Sequence, residues 1–209
     1  MSYRRVFIDA GANTGQSSII LRHVFPYGKN YQIFAFESHP EMYNELEKWK
    51  NFLINSYSEY NEYSIITSNK AIWTEDTSLD FFIGRPESAT LRLDKNPKKV
   101  NYNKPIKVDT LDLGTWIREN FTKDDYVVLK MDIEGAEFDV IPDLIQKRAF
   151  DFIDEFYCEF HHNSLSSVNE VDYFNVLKNL NSIGVQPKVW FTDLDIQSRT
   201  IFKNLLPAL

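Results

Sequence analysis

The chain has 209 residues, 43% hydrophobic and 25% charged, with a formal net charge of −7. That length suits one well-filled core, expected as a single domain over residues 1–209, and the acidic balance excludes general affinity for nucleic acid or anionic membrane. A lone cysteine, Cys158, excludes internal disulfides and cysteine-rich zinc sites. The opening residues run straight into Val6-Phe7-Ile8, and no stretch approaches the roughly 18 apolar residues of a membrane span, so a soluble cytoplasmic protein is expected.

Short apolar runs alternate with longer amphipathic ones, the pattern of an α/β, doubly wound, mostly parallel sheet. Val6-Phe7-Ile8 predicts a first strand, followed by a glycine turn and a helix over about Thr14–Phe25. Gln32–Phe36 predicts a second strand, and Ser38-His39-Pro40-Glu41 reads as a capping box before a helix whose buried face is Tyr43, Leu46, Trp49 and Leu53. Ser64–Thr67 is a third strand running up to Asn69–Ile72, and Leu79–Ile83 alternates like another. Residues 84–104 hold six Lys/Arg against two Asp/Glu, with two prolines, and read as a solvated flap. Ile106–Val108 reads as a short strand and Thr110–Phe121 as a helix capped by Thr110. Tyr126–Met131 is the most continuous strand signal, and Phe138–Phe150 is helical, with Pro142 placed in a first turn or at a kink. Phe152–Phe160 is a further strand, Asn169–Ile183 a helix, and Lys188–Phe191 with Thr200–Phe202 a closing hairpin.

Ligands of open parallel sheets bind outside the carboxyl ends of the strands. Those ends carry Asp9 with its glycine turn, Glu37, Asn69, Asp132 with Glu134, and Glu159 with His161. In Asp9-Ala10-Gly11-Ala12-Asn13-Thr14-Gly15, Gly11 lets a ligand approach the backbone and Gly15 lets helix and sheet pack closely. Glu37, 28 residues after Asp9, sits where a carboxylate accepts the ribose hydroxyls of a nucleoside. A pyrophosphate wants an uncluttered helix start with a third glycine. The third glycine is absent and a carboxylate precedes the turn, so the charges favour a phosphate-free, cationic nucleoside such as S-adenosyl-L-methionine.

Four blocks, Phe7–Gly15, Phe36-Glu37-Ser38-His39-Pro40, Thr110-Leu111-Asp112 and Lys130-Met131-Asp132-Ile133-Glu134-Gly135-Ala136-Glu137, resemble FkbM-type methyltransferases, as does Glu159-Phe160-His161. The resemblance implies a class I methyltransferase sheet, Rossmann-like and seven-stranded with a reversed C-terminal strand. It also implies methyl transfer from S-adenosylmethionine to a hydroxyl of a sugar, glycan or secondary metabolite. In that reading Asp9, Gly11 and Asn13 hold the methionine portion, with Gly15 in the same cofactor-binding turn, Glu37 holds the ribose, and Asn69, Ala71 and Ile72 border the adenine. Asn69 reads equally as a turn residue.

Asp132, Glu159 and His161, with Glu134, form the candidate catalytic cluster, Asp132 also facing the cofactor. His161 is the expected base because histidine titrates near neutrality. Asp132, Glu134 and Glu159 could gather a divalent cation through oxygen ligands, a reading not favoured. Glu137 reads as a helix-start carboxylate and Thr110 and Asp112 as caps, while only one of His161 and His162 is expected to face the site. Ser88 and Thr90 fall where the family has small polar residues near the acceptor. The rival readings are an NAD(P)-dependent short-chain oxidoreductase and a non-catalytic nucleoside-binding module. Tyr126 and Lys130 have the Tyr-x-x-x-Lys spacing of the former, but on a strand.

Overall fold

A computed structural model describes residues 4–24, 27–58, 60–84, 88–96, 98 and 100–190. In chain order the elements are β1 (Arg5–Ala10), α1 (Gln16–Val24), β2 (Tyr31–Phe36), α2 (Pro40–Ser56), β3 (Ile65–Ser68), β4 (Ala71–Trp73), β5 (Ser78–Phe81), β6 (Ile106–Asp112), α3 (Leu113–Asn120), β7 (Tyr126–Met131), α4 (Glu137–Gln146), β8 (Glu155–Cys158) and α5 (Glu170–Ser182). The main sheet runs β3-β2-β1-β7-β8 with every pairing parallel, and a second sheet runs β4-β6-β5 with β5 antiparallel. Strand order reverses at the β1–β7 junction, which places a crevice over their carboxyl ends.

Both faces of the main sheet are covered, which is why β1 and β7 read as continuous apolar runs rather than alternating ones. Val6, Ile8, Val127 and Leu129 pack under α3, α4 and α5, while Phe7 and Val128 face α1 and α2 with Leu21, Leu46 and Trp49. The period of two therefore sends Asp9 and Lys130, which are register partners, to the α1 face as well.

Several boundaries differ from expectation. The main sheet has five strands among the described residues where seven were expected. Of the closing hairpin, Lys188 makes an isolated parallel bridge to Tyr157, Val189 and Trp190 form no strand, and the rest falls on 191–209, outside the described residues. Asn69 ends β3 by donating to the carbonyls of Glu37 (2.7 Å) and Ser38 (3.3 Å), and the chain then leaves the main sheet, so that Ala71–Trp73 pairs with β6. Thr110 lies inside β6, and Asp112 caps α3 by accepting from Thr115 N. His39 rather than Ser38 caps α2, its ring accepting from Glu41 N. Pro142 sits inside α4, beyond the first turn.

The described part of the basic segment is anchored to the body of the protein, although Lys98 and Lys104 are exposed as expected of a solvated flap. Ser88, Ala89, Thr90, Lys95 and Val100 are buried, and isolated bridges tie Phe82 to Thr90, Gly84 to Val100 and Lys95 to Leu165. Arg92 donates to both carboxylate oxygens of Asp94 (2.8 and 2.9 Å) and to Ser167 (2.9 Å), and also to Asp139, so its charge is spent internally. Among the described residues no helix is long and apolar enough to cross a membrane.

Candidate active site

A cleft of about 510 Å³ opens at the switch point, within the range of small-ligand sites. Glu37, Ala71 and Ile72 line one side of it, and Asp132, Glu159 and His161 the other. A recess of about 230 Å³ adjoins it, sharing Gly11, Asn13, Asp132 and Glu159, and reaches Lys130 and Trp190.

The first wall is held by main chain. Glu37 is 8% exposed; Oε2 accepts from Asn13 N (2.8 Å) and Oε1 from His39 N (2.7 Å). Burial raises this carboxyl above the usual range, against those two backbone donors and Lys130. Asn13 reaches Glu37 from left-handed backbone, φ 50°, a conformation that asparagine tolerates. Gly11 is also left-handed (φ +82°), but its constraint comes from protein: a Cβ there would lie 1.9 Å from the carbonyl oxygen of Asp132. The glycine thus lets the turns after β1 and β7 touch while remaining part of the cleft lining.

Three expected cofactor residues lie elsewhere. Asp9 is fully buried, does not line the cleft, and takes a hydrogen bond from Ser18 (3.0 Å) and an ion pair from Lys130 (3.4 Å). Its strand parity turns it beneath α1. Gly15 packs α1 against α2, a Cβ there meeting Trp49 at 2.9 Å, so helix meets helix rather than sheet. Asn69 latches the loop after β2 and stands behind the cleft wall, in line with its turn reading.

The second wall is held by side-chain charge. Lys130, buried, donates to Gly11 O (2.8 Å) and Asp132 (3.3 Å) as well as facing Asp9. Burial alone lowers an ammonium, but Asp132 and Asp9 outweigh it and hold Lys130 above the ordinary lysine range. Glu137, 0% exposed, accepts from Ile133 N (3.0 Å) and Gly135 N (2.9 Å) and meets His161 Nδ1 at 3.0 Å. Its helix-start reading omitted that contact, although a wholly buried Glu needs such partners. Around His161 Nε2 stand Glu134 at 3.5 Å, Asp132 at 3.8 Å and Glu159 at 3.8 Å. His162 turns away and stacks on Tyr173, ring centroids 4.4 Å apart.

This ring of carboxylates changes the expected role of His161. Burial lowers its pKa, but the Glu137 hydrogen bond and the charges of Glu137, Glu134 and Asp132 raise it to about 9. A histidine raised in this way holds its second proton more tightly, and when protonated it presents Nε2–H as a donor toward the cleft. Burial raises the Glu134 and Glu159 carboxyls, Asp132 adding to the effect at Glu159. Asp132, Glu137 and His161 are the group among the described residues whose donor atoms converge closely enough for a metal, so the ligand set differs from the Asp132, Glu134 and Glu159 weighed from sequence.

The short-chain oxidoreductase pair does not assemble. Tyr126 donates to Glu155 at one end of β7 while Lys130 reaches Gly11 at the other, about 13 Å along the strand.

The family model for the methyltransferase FkbM domain matches residues 9–184. The chain belongs to that family. The FkbM domain thus spans both walls of the cleft, and the resemblance carried by the Lys130–Glu137 block was to the right family. A methyltransferase FkbM from Methylobacillus flagellatus KT is a similar solved structure, with a TM-score of 0.45 and 13% identity over 69% of this chain and 30% of that one. The chain therefore spans under a third of that protein's length, and a likeness that distant transfers no residue roles. No curated protein matches the chain.

Proposed function

We propose that this FkbM domain transfers a methyl group from S-adenosyl-L-methionine to a hydroxyl of a sugar, glycan or other small-molecule acceptor. The observation that carries the reading is a single cleft with a backbone-held carboxylate, Glu37, on one side and the His161 cluster on the other. The residues present fit the cofactor. The bonds from Asn13 and His39 leave each Glu37 oxygen an acceptor position for the ribose hydroxyls. Ala71 and Ile72 supply apolar surface beside it for adenine. The carboxylates of Asp132 and Glu159 suit a sulfonium and an ammonium better than a phosphate.

Bound S-adenosylmethionine supplies an electrophilic methyl group; the chain's own residues place the acceptor and receive its proton. His161 Nε2–H donates to the acceptor oxygen and fixes its position, and orientation of this kind supplies much of a displacement's rate. The hydroxyl proton passes to Glu159, the most exposed carboxylate of the cluster, its side chain 56% exposed, with a pKa raised by partial burial and by Asp132. The second wall carries net negative charge, and the basic segment's Arg92 and Lys95 are already paired, so a neutral polyhydroxy acceptor fits better than an acidic one. With Lys95, Lys130 and His161 facing the carboxylates, this reading needs no metal, and turnover is expected to persist in EDTA.

Calorimetry tests the cofactor: S-adenosylhomocysteine is expected to bind, and binding of NAD with no response to it would overturn the reading. A labelled-methyl screen over glycans, metabolites and peptides tests the reaction. Cofactor binding without transfer to any of them would favour a non-catalytic nucleoside-binding module.

A further inference from the structure

We infer that Lys95, a residue of the basic segment, is a positioning residue: it holds Glu134 off His161 and leaves the Nε2–H of the imidazole open to the cleft. The inference rests on the methyl-transfer reading above and goes beyond it to the origin of the cluster's geometry.

Four observations converge on Lys95. Its side chain is 1% exposed, an extreme for a lysine, and is therefore placed by its partners rather than by water. Its ammonium donates to the Glu134 carboxylate and to Ser88 O (3.0 Å). Its backbone is fixed from the far side, Tyr102 Oη donating to Lys95 O (2.7 Å) while Lys95 bridges Leu165. Two residues of the same segment complete the grip: Thr90 Oγ1 donates to Glu134 O (2.9 Å), and Ser88 lines the cleft.

Glu134 is held in a conformation it would not choose. Its φ is 57°, in the left-handed region, where a residue with a Cβ persists only when its surroundings dictate it. The grip on backbone and carboxylate together supplies that constraint. Its consequence is visible at His161: Nδ1 is fully engaged by Glu137 at 3.0 Å, whereas Nε2 has three carboxylates around it and none at charge-assisted hydrogen-bond length. Left alone, an imidazolium donor and a carboxylate 3.5 Å away would close to a full hydrogen bond. Lys95 competes for Glu134, and Lys130 does the same for Asp132 at 3.3 Å. The donor is therefore offered to an acceptor hydroxyl rather than consumed within the protein.

The test has an arm that needs neither acceptor nor variant. In the wild-type protein, ¹⁵N-edited NMR of the histidine rings should show the His161 Nδ1 proton strongly deshielded and slowly exchanging, and the Nε2 proton exchanging with water. A strongly deshielded Nε2 proton in the wild type would overturn the inference. In Lys95→Met the Nε2 proton should become deshielded as Glu134 closes on it. Turnover on an acceptor found by the labelled-methyl screen should then fall tenfold to roughly a hundredfold, with S-adenosylhomocysteine affinity unchanged.

Lys95→Arg should keep most of the turnover, and adding Glu134→Gln to Lys95→Met should recover part of the loss, because the closing carboxylate is gone. A lysine that served packing alone would show no such recovery, and absence of recovery overturns the inference. Wild-type protein that fails to bind S-adenosylhomocysteine would instead defeat the methyl-transfer reading, so the two failures are distinguishable.

Discussion

The two walls of the cleft are built by opposite means. On one, a single carboxylate, Glu37, is fixed by backbone N–H groups from two loops, and its geometry follows from where β1 and β2 end. On the other, Asp132, Glu134, Glu137 and Glu159 are arranged around His161 and two buried lysines, and geometry depends on charges contributed from distant parts of the chain. The first wall resembles a fixed template for one ligand group. The second is a balance of attractions, in which removing one partner redistributes the others. Backbone-held sites are expected to fail locally when altered, and charge-held sites to fail collectively.

The sharpest way to break this comparison is Lys130→Met. It leaves Asp9 buried without its cation, and a loss of about 3–5 kcal/mol is expected by urea denaturation. A loss below about 1 kcal/mol would show that the second wall does not depend on its lysine. Next in size, His161→Ala is expected to lower turnover about 10²-fold, as for loss of a preorganised donor, while S-adenosylhomocysteine affinity stays within about threefold. Parent-level turnover in that variant would remove His161 from the reaction.

Glu37→Ala tests the other wall. Loss of charged hydrogen bonds to the ribose should weaken S-adenosylhomocysteine about 10- to 100-fold by calorimetry, and the Asn13 and His39 N–H groups, left without their acceptor, should cost about 1–3 kcal/mol of stability. Equal affinity would mean that the first wall is structural only.

The smallest effect is on pH. His161 titrates at about 9 in the folded protein against 6.5 when unfolded, so its contribution is complete below pH 6.5 and is lost as pH rises through 9. Wild-type stability should fall by about 1–2 kcal/mol between pH 7 and 9 beyond any fall seen in His161→Gln. Parallel curves for the two proteins would mean that the carboxylate ring does not hold the imidazolium.

Residues near one another in sequence were legible before the fold was known. The apolar runs marked β1, β2, β7 and β8, and Asn169 announced the start of α5, whose capping box is complete. Glu37 could be placed beside the glycine turn because parallel strands joined by one helix end side by side. The blocks that pointed to the family were legible for a similar reason, each being a contiguous run of residues.

What only the tertiary structure decided was the side of the sheet and the sign of the charge. Asp9 looked like a ligand group because it ends a strand, yet strand parity and the packing of α1 turned it inward onto Ser18 and Lys130. Lys95 belonged to a segment whose composition predicts solvation, and its burial depends on Glu134, 39 residues away. His161 looked like a neutral-pH base, and its pKa is raised because Glu137, Glu134 and Asp132 converge on it from the turn after β7 and the start of α4. Sequence period sets which residues share a face, but the protonation of a buried group is set by the charges that the fold brings within a few ångströms of it.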